Sequence, residues 1–195
     1  MRYYYTATPL KNLFSRLANG QSLAGPMILF DKSFKLQAEV YKSLCDNQRW
    51  KTCTERALQK ERSKWGKNAI HRDIADLLNN LGLAWKSLGD TRKAIGYYEQ
   101  SLQMTRTIYG TSFANDDIAA ALNNLGLAWA DLGDHRRAVS CHEQSLQMRR
   151  SIYGEGVGHP NIASSLQNLG TAWNDLCDHR NAVRYYEQSL QKYLW

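Results

Sequence analysis

No stretch of the 195-residue sequence is long and apolar enough to span a bilayer. Leu23 to Phe30 is apolar but far too short, and Gly25-Pro26 interrupts it. No secretory signal is visible at the N-terminus. The four cysteines, Cys45, Cys53, Cys141 and Cys177, form no Cys-x-x-Cys, so the usual spacing of a zinc or redox motif is missing. Without a signal peptide they read as reduced thiols in the cytosol. No two of the five histidines stand at ligand spacing on one helix, and no Ser, His and acid set emerges. Nothing resembles a glycine-rich phosphate loop. These absences argue against a catalytic site, a bound metal, a cofactor or a small-molecule substrate, and for a protein that is not an enzyme.

What is present is repetition. Leu122 to Gly154, LNNLGLAWADLGDHRRAVSCHEQSLQMRRSIYG, has near copies beginning at Leu78 and Leu166, each 44 residues away. A degenerate copy in the same register begins at Phe34, where Tyr41 falls opposite Trp85, Asp46 opposite Asp90 and Glu55 opposite Glu99. A fixed period in this range marks a stacked array and decides the fold. The repeats span about 34–66, 78–110, 122–154 and a truncated 166–195, within an array covering 31–195 behind a leader at 1–30.

Each unit reads as two antiparallel helices. Leu122, Leu125, Gly126 and Trp129 fall on one helical face. Gly126 recurs as Gly82 and Gly170, so a close approach by the partner helix is expected there. Leu132-Gly133-Asp134 ends the first helix and caps the second, which places second helices from about Asp90 and Asp134. Ala94, Ala138 and Ala182 are small where the helices cross. The cysteines and histidines fall into the same register: Cys45 and Cys177 replace Gly89 and Gly133, Cys53 and Cys141 replace Tyr97, and His142 replaces Tyr98 and Tyr186. They read as packing residues, with His71, His159, His135 and His179 at helix starts.

The spacing Leu78-x2-Leu81-Gly82-x2-Trp85…Ala94-x3-Tyr98, repeated from Leu122 to His142, resembles the tetratricopeptide repeat. The long period and the Leu-Asn-Asn-Leu opening are similar to the repeats of kinesin light chains. That resemblance implies an all-α, right-handed α-solenoid of antiparallel helix pairs, covering Phe34 to the end. It also implies a protein or peptide partner rather than a reaction. Similar arrays form the sensor segments of STAND-type signalling ATPases, so an adaptor and a sensor fragment are both open readings.

In such arrays the first helices line the concave face. If Leu122, Leu125 and Trp129 are buried, the stripe one residue further on faces the groove. It comprises Asn79, Leu83 and Lys86, then Asn123, Leu127 and Ala130, then Gln167, Thr171 and Asn174, flanked by Asn80, Asn124 and Asn168. Carboxamides offer a donor and an acceptor to an extended peptide backbone, and Leu83 and Leu127 add apolar contact. The flanking three also suit bridges between repeats. Lys86 alone cannot make the basic clamp that grips C-terminal carboxylates.

The net charge of +7 is unevenly spread: residues 1–70 hold 13 Lys and Arg against 5 Asp and Glu. Polyanion binding, to RNA or acidic lipid, through this basic third is a lesser alternative. Arg92-Lys93, Arg136-Arg137 and Arg149-Arg150 are expected on the convex, solvated side, which disfavours a nucleic-acid footprint there. Leu10, Leu13, Phe14 and Leu17 predict a short amphipathic leader helix, read as a cap on the first repeat or as a mitochondrial transit peptide. At the other end Tyr193 and Leu194 replace Arg149 and Arg150. The last helix has no polar cap behind it, so self-association through that end is expected.

Overall fold

The computed structural model describes residues 34–110, 114–154 and 158–193. The predicted leader helix, Leu194 and Trp195 lie outside the described residues. Eight helices follow: α1 (Phe34–Ser43), α2 (Asn47–Trp65), α3 (Arg72–Ser87), α4 (Thr91–Tyr109), α5 (Asp116–Asp131), α6 (His135–Tyr153), α7 (Pro160–Asp175) and α8 (His179–Tyr193). They form consecutive antiparallel pairs, a right-handed α-solenoid with no strand among the described residues. Each second helix packs on its own first helix, and α2, α4 and α6 also pack on the first helix of the next pair. Successive first helices, α3 with α5 and α5 with α7, also touch. First helices therefore crowd together on the inner side.

The turn inside each pair follows from three residues. After α5, Gly133 takes φ 80°, a conformation that costs a side-chain-bearing residue about 1 kcal/mol or more. The Gly133 amide donates to Ala130 O at 2.9 Å and the Asp134 amide to Trp129 O at 2.9 Å, the doubled bond that closes a helix C-terminus. Asp134 Oδ1 then accepts the Arg137 amide at 3.1 Å and caps α6. Asp90 does the same for α4, and Asp178 does the same for α8.

At Cys45 and Cys177 the same turn is built with φ 57° and 61°. Both are exposed. The expectation that they pack is therefore corrected: the register demands a left-handed backbone and leaves the side chain in solvent. Cys53 and Cys141 are buried.

The core repeats with the chain. Ala94, Ile95, Tyr98 and Leu102 of α4 meet Ile118, Leu122, Leu125 and Ala128 of α5. Val139 and Leu146 of α6 likewise meet Ile162, Leu166 and Leu169 of α7. Within each pair, a Cβ on Gly126 would stand 2.7 Å from the His142 ring, and one on Gly170 would stand 2.8 Å from the Tyr186 ring. Any larger residue would force the helices apart. A buried hydroxyl locks each of the last three pairs further: Ser101 donates to Ala75 O at 2.8 Å, Ser145 to Ala119 O at 2.7 Å and Ser189 to Ala163 O at 2.9 Å. Val183 and Leu190 of α8, in the register of Val139 and Leu146, are exposed.

One expectation about charge fails. Arg149 does not lie on the solvated side; it is 7% exposed. Its Nη1 donates to Asn161 O at 3.0 Å and to Ser165 Oγ at 2.7 Å, and Asp116 Oδ1 stands 3.8 Å from Nε. The register explains why, since Thr105, one repeat earlier, is also buried.

Candidate partner-binding groove

Leu122 and Leu125 are buried and Trp129 is half-buried, so the adjacent stripe of each first helix is turned toward the inner side. The amides there are paired across repeats. Asn124 Nδ2 donates to Asn79 Oδ1 at 3.0 Å, and Asn168 Nδ2 donates to Asn123 Oδ1 at 2.8 Å. Asn80, the same register one repeat earlier, is half-buried. The two carboxamides of each pair hold one another in place. Each pair keeps a second amide hydrogen on one residue and a second lone pair on the other.

The rest of the stripe is similarly anchored. Lys86 Nζ is 3.1 Å from Asp131 Oδ2. Asn174 Oδ1 is 3.1 Å from His179 Nδ1. Thr171 donates to Gln167 O at 3.1 Å and accepts the Tyr186 hydroxyl at 3.2 Å. Leu83 and Leu127 are half-buried, while Gln167 and Thr171 are exposed. The groove surface thus changes from leucine at α3 and α5 to threonine at α7.

Sequence reasoning passed over three carboxylate contacts that join this surface. Arg72 reaches Asp117 at 3.1 Å and Asp76 at 3.9 Å. Burial raises the Asp76 carboxyl above its ordinary range, Asp117 adds to the rise, and Arg72 opposes it. Arg72–Asp117, Asn79–Asn124 and Lys86–Asp131 are each 45 residues apart. The contact period between first helices is therefore one longer than the repeat, a signal available in the sequence only once the stacking is known.

Tetratricopeptide repeat models match residues 74–116 and 117–194. The chain belongs to the tetratricopeptide repeat family. No curated protein matches it. Among solved structures it is similar to BtubC (BKLC) from P. vanneervenii, at 25% identity and a TM-score of 0.74, covering 83% of this chain and 62% of that one. It is also similar to a putative kinesin light chain with nearly identical TPR-like repeats from Podospora anserina, at 18% identity and a TM-score of 0.68, covering 83% and 73%. A Rap protein complexed with Competence and Sporulation Factor shares the fold at 18% identity and a TM-score of 0.67, covering 83% of this chain and 42% of that one. The chain thus spans less than two thirds of the BtubC and Rap structures. Tetratricopeptide arrays are protein–protein interaction scaffolds, and this chain carries that scaffold.

The outer side of the tetratricopeptide array has a recurrent feature the sequence reading missed. Three open clefts of about 500, 540 and 450 Å³ lie one repeat apart. The middle one is lined by Glu99, Leu102, Gln103 and Arg106 of α4 and floored by Leu125. Arg106 donates to Gln144 at 3.3 Å and Arg150 to Gln188 at 3.2 Å, so these guanidinium groups tie successive second helices together. Lys93 and Arg137 pair with Asp90 and Asp134 and lie over the Trp85 and Trp129 rings at 4.2 and 4.4 Å. Most cations on this side whose contacts are described are thus engaged in the scaffold. Among the described residues no helix is long and apolar enough to cross a membrane, and no three His, Cys, Asp or Glu side chains are placed to hold a metal.

Proposed function

We propose that the chain is a non-enzymatic adaptor whose concave groove holds an extended peptide or a partner helix along its first helices. The observation that carries this reading is the paired carboxamides, Asn79 with Asn124 and Asn123 with Asn168. Each pair is fixed by its internal bond, so little side-chain entropy remains to be lost on binding. Each keeps one donor and one acceptor for main-chain groups. A complex of a similar fold, the Rap protein with Competence and Sporulation Factor, supports the idea that such an array holds a partner.

The test is Asn79→Ala combined with Asn123→Ala. Both residues accept cross-repeat bonds, so the double variant loses about 1 kcal/mol of stability per bond yet stays folded by circular dichroism. Its capture of the partner recovered by the parent protein should fall at least about tenfold, the scale of two lost hydrogen bonds. Unaltered capture by a folded double variant would place recognition outside the groove.

A further inference from the structure

We propose that the groove's occupant is a basic segment, one that sets a lysine or arginine against Asp175. This rests on the groove reading above and deepens it. Residues 71–195 are close to neutral, with 12 Lys and Arg against 13 Asp and Glu, but their charge is sorted by helix. α3, α5 and α7 carry six carboxylates, Asp73, Asp76, Asp116, Asp117, Asp131 and Asp175, against the two cations Arg72 and Lys86. α4, α6 and α8 carry ten Lys and Arg against three Glu. The first helices α3, α5 and α7 are thus acidic and the second helices α4, α6 and α8 basic, while Lys35 of α1 reaches Asp73 at 3.3 Å. An elongated ligand lying along the first helices meets the negative side.

The sorting has a sharper local form. At the α3–α5 junction both charged rungs are closed from within, by Arg72 on Asp117 and by Lys86 on Asp131. One repeat later the two cation positions hold Asp116 and Ala130. Asp116 lies 3.8 Å from the guanidinium of the buried Arg149, a permanent cation. Asp175 is the equivalent of Asp131, and the register position that holds Lys86 opposite Asp131 holds Ala130 opposite Asp175. The His135 ring stands beside it, with Nδ1 3.6 Å from the carboxylate, beyond hydrogen-bond length. The Asp175 side chain is 35% exposed.

The first junction therefore shows what the second one lacks: a flexible cation reaching across from the preceding first helix to this carboxylate. A ligand side chain passing over Ala130 supplies it. The neighbouring amide pair, Asn123 with Asn168, lies two helical turns back along the same stripe and holds the ligand backbone. Leu127 lies between them.

The test uses the 195-residue chain and three fluorescein-labelled pools of extended Gly/Ser/Leu peptides, one with lysine and arginine, one with aspartate and glutamate, one with neither. Anisotropy should show the basic pool binding about tenfold tighter than the acidic pool at low salt, with the difference shrinking as salt rises. Asp175→Asn should weaken the basic pool about threefold to fivefold, the scale of a half-exposed ion pair. It should leave the neutral pool unchanged. Ala130→Lys, which rebuilds the closed rung, should weaken the basic pool to the same degree or more. Thermal melts of both variants report that they are folded. Equal binding of the three pools, weakened by Asn79→Ala with Asn123→Ala, would overturn the basic-ligand assignment and leave the groove reading standing. No binding of any pool would overturn both. If neutralising Lys11 and Arg16 raises basic-pool affinity, the chain's own leader is the occupant and the external partner falls.

Discussion

His142 puts an imidazole at a register position that other repeats fill with tyrosine. It is 1% exposed, stands where the other repeats place Tyr98 and Tyr186, and its Nδ1 has no hydrogen-bond partner. Burial against Gly126 pushes the imidazole down from 6.5 to about 4, with the Arg149 and Lys86 charges adding to the effect. In the unfolded chain the ring takes up its proton near 6.5. In the folded chain it does so only near 4. The stability it contributes is therefore fully present above about pH 6.5 and is lost as pH falls toward 4. At full extent the loss is about 3 kcal/mol, and between pH 7.5 and pH 5.0 it is about 2 kcal/mol.

Replacing the ring isolates this contribution from the carboxylates that titrate in the same range. His142→Phe keeps an aromatic disc over Gly126 and removes the unpartnered nitrogen. Urea unfolding of parent and variant at the two pH values should show the parent losing about 2 kcal/mol more than the variant. The variant should also be more stable than the parent at pH 5.0. Parallel losses in the two proteins would refute the argument, because they would mean that the ring is protonated in the folded state or is hydrated there.

Two further outcomes follow from particular positions. Cys177→Gly relieves a left-handed backbone at φ 61° on a side chain that touches solvent, so it should raise stability by about 1 kcal/mol, measured as a higher urea midpoint at unchanged slope. Arg149→Met should cost about 2 kcal/mol by stranding Ser165 Oγ and Asn161 O, while Arg149→Thr with Ser165→Ala, which copies the Thr105 and Ala121 junction, should recover most of that loss in a double-mutant cycle.

Much of this architecture could be read from the sequence because each repeat checks the others. Gly126 alone is an unfavourable residue inside a helix; Gly82 and Gly170 in the same register make it a contact, and the rings of Tyr98, His142 and Tyr186 supply the partner. The Asp90 and Asp134 caps were legible for the same reason. Arg149 was misplaced because its charge was weighed ahead of its register with Thr105. The cysteines at 45 and 177 were misread because a glycine register was taken as small rather than as left-handed. Of the groove, the amide stripe was legible from helical periodicity. The Arg72–Asp117 and Lys86–Asp131 rungs were not, because they join residues of different repeats at a spacing that only stacking reveals.

That distinction says where recognition is written. In a solenoid each unit contacts only its neighbours, so residues that recur in every repeat build the scaffold. Gly82, Gly126 and Gly170 recur, as do Ser101, Ser145 and Ser189, and none of them touches the groove surface. Within the stripe Asn80, Asn124 and Asn168 recur, the latter two in the bridges between repeats, while other positions vary. Leu83 and Leu127 give way to Thr171; Lys86 gives way to Ala130 and then Asn174; Arg72 gives way to Asp116 and then Pro160. Near-identical helices thus present an apolar, internally neutralised surface at α3 and a polar surface at α7, with an open carboxylate at Asp175. The ligand proposed above would then have a preferred direction, with its apolar residue over Leu83 and Leu127 and its cation at Asp175.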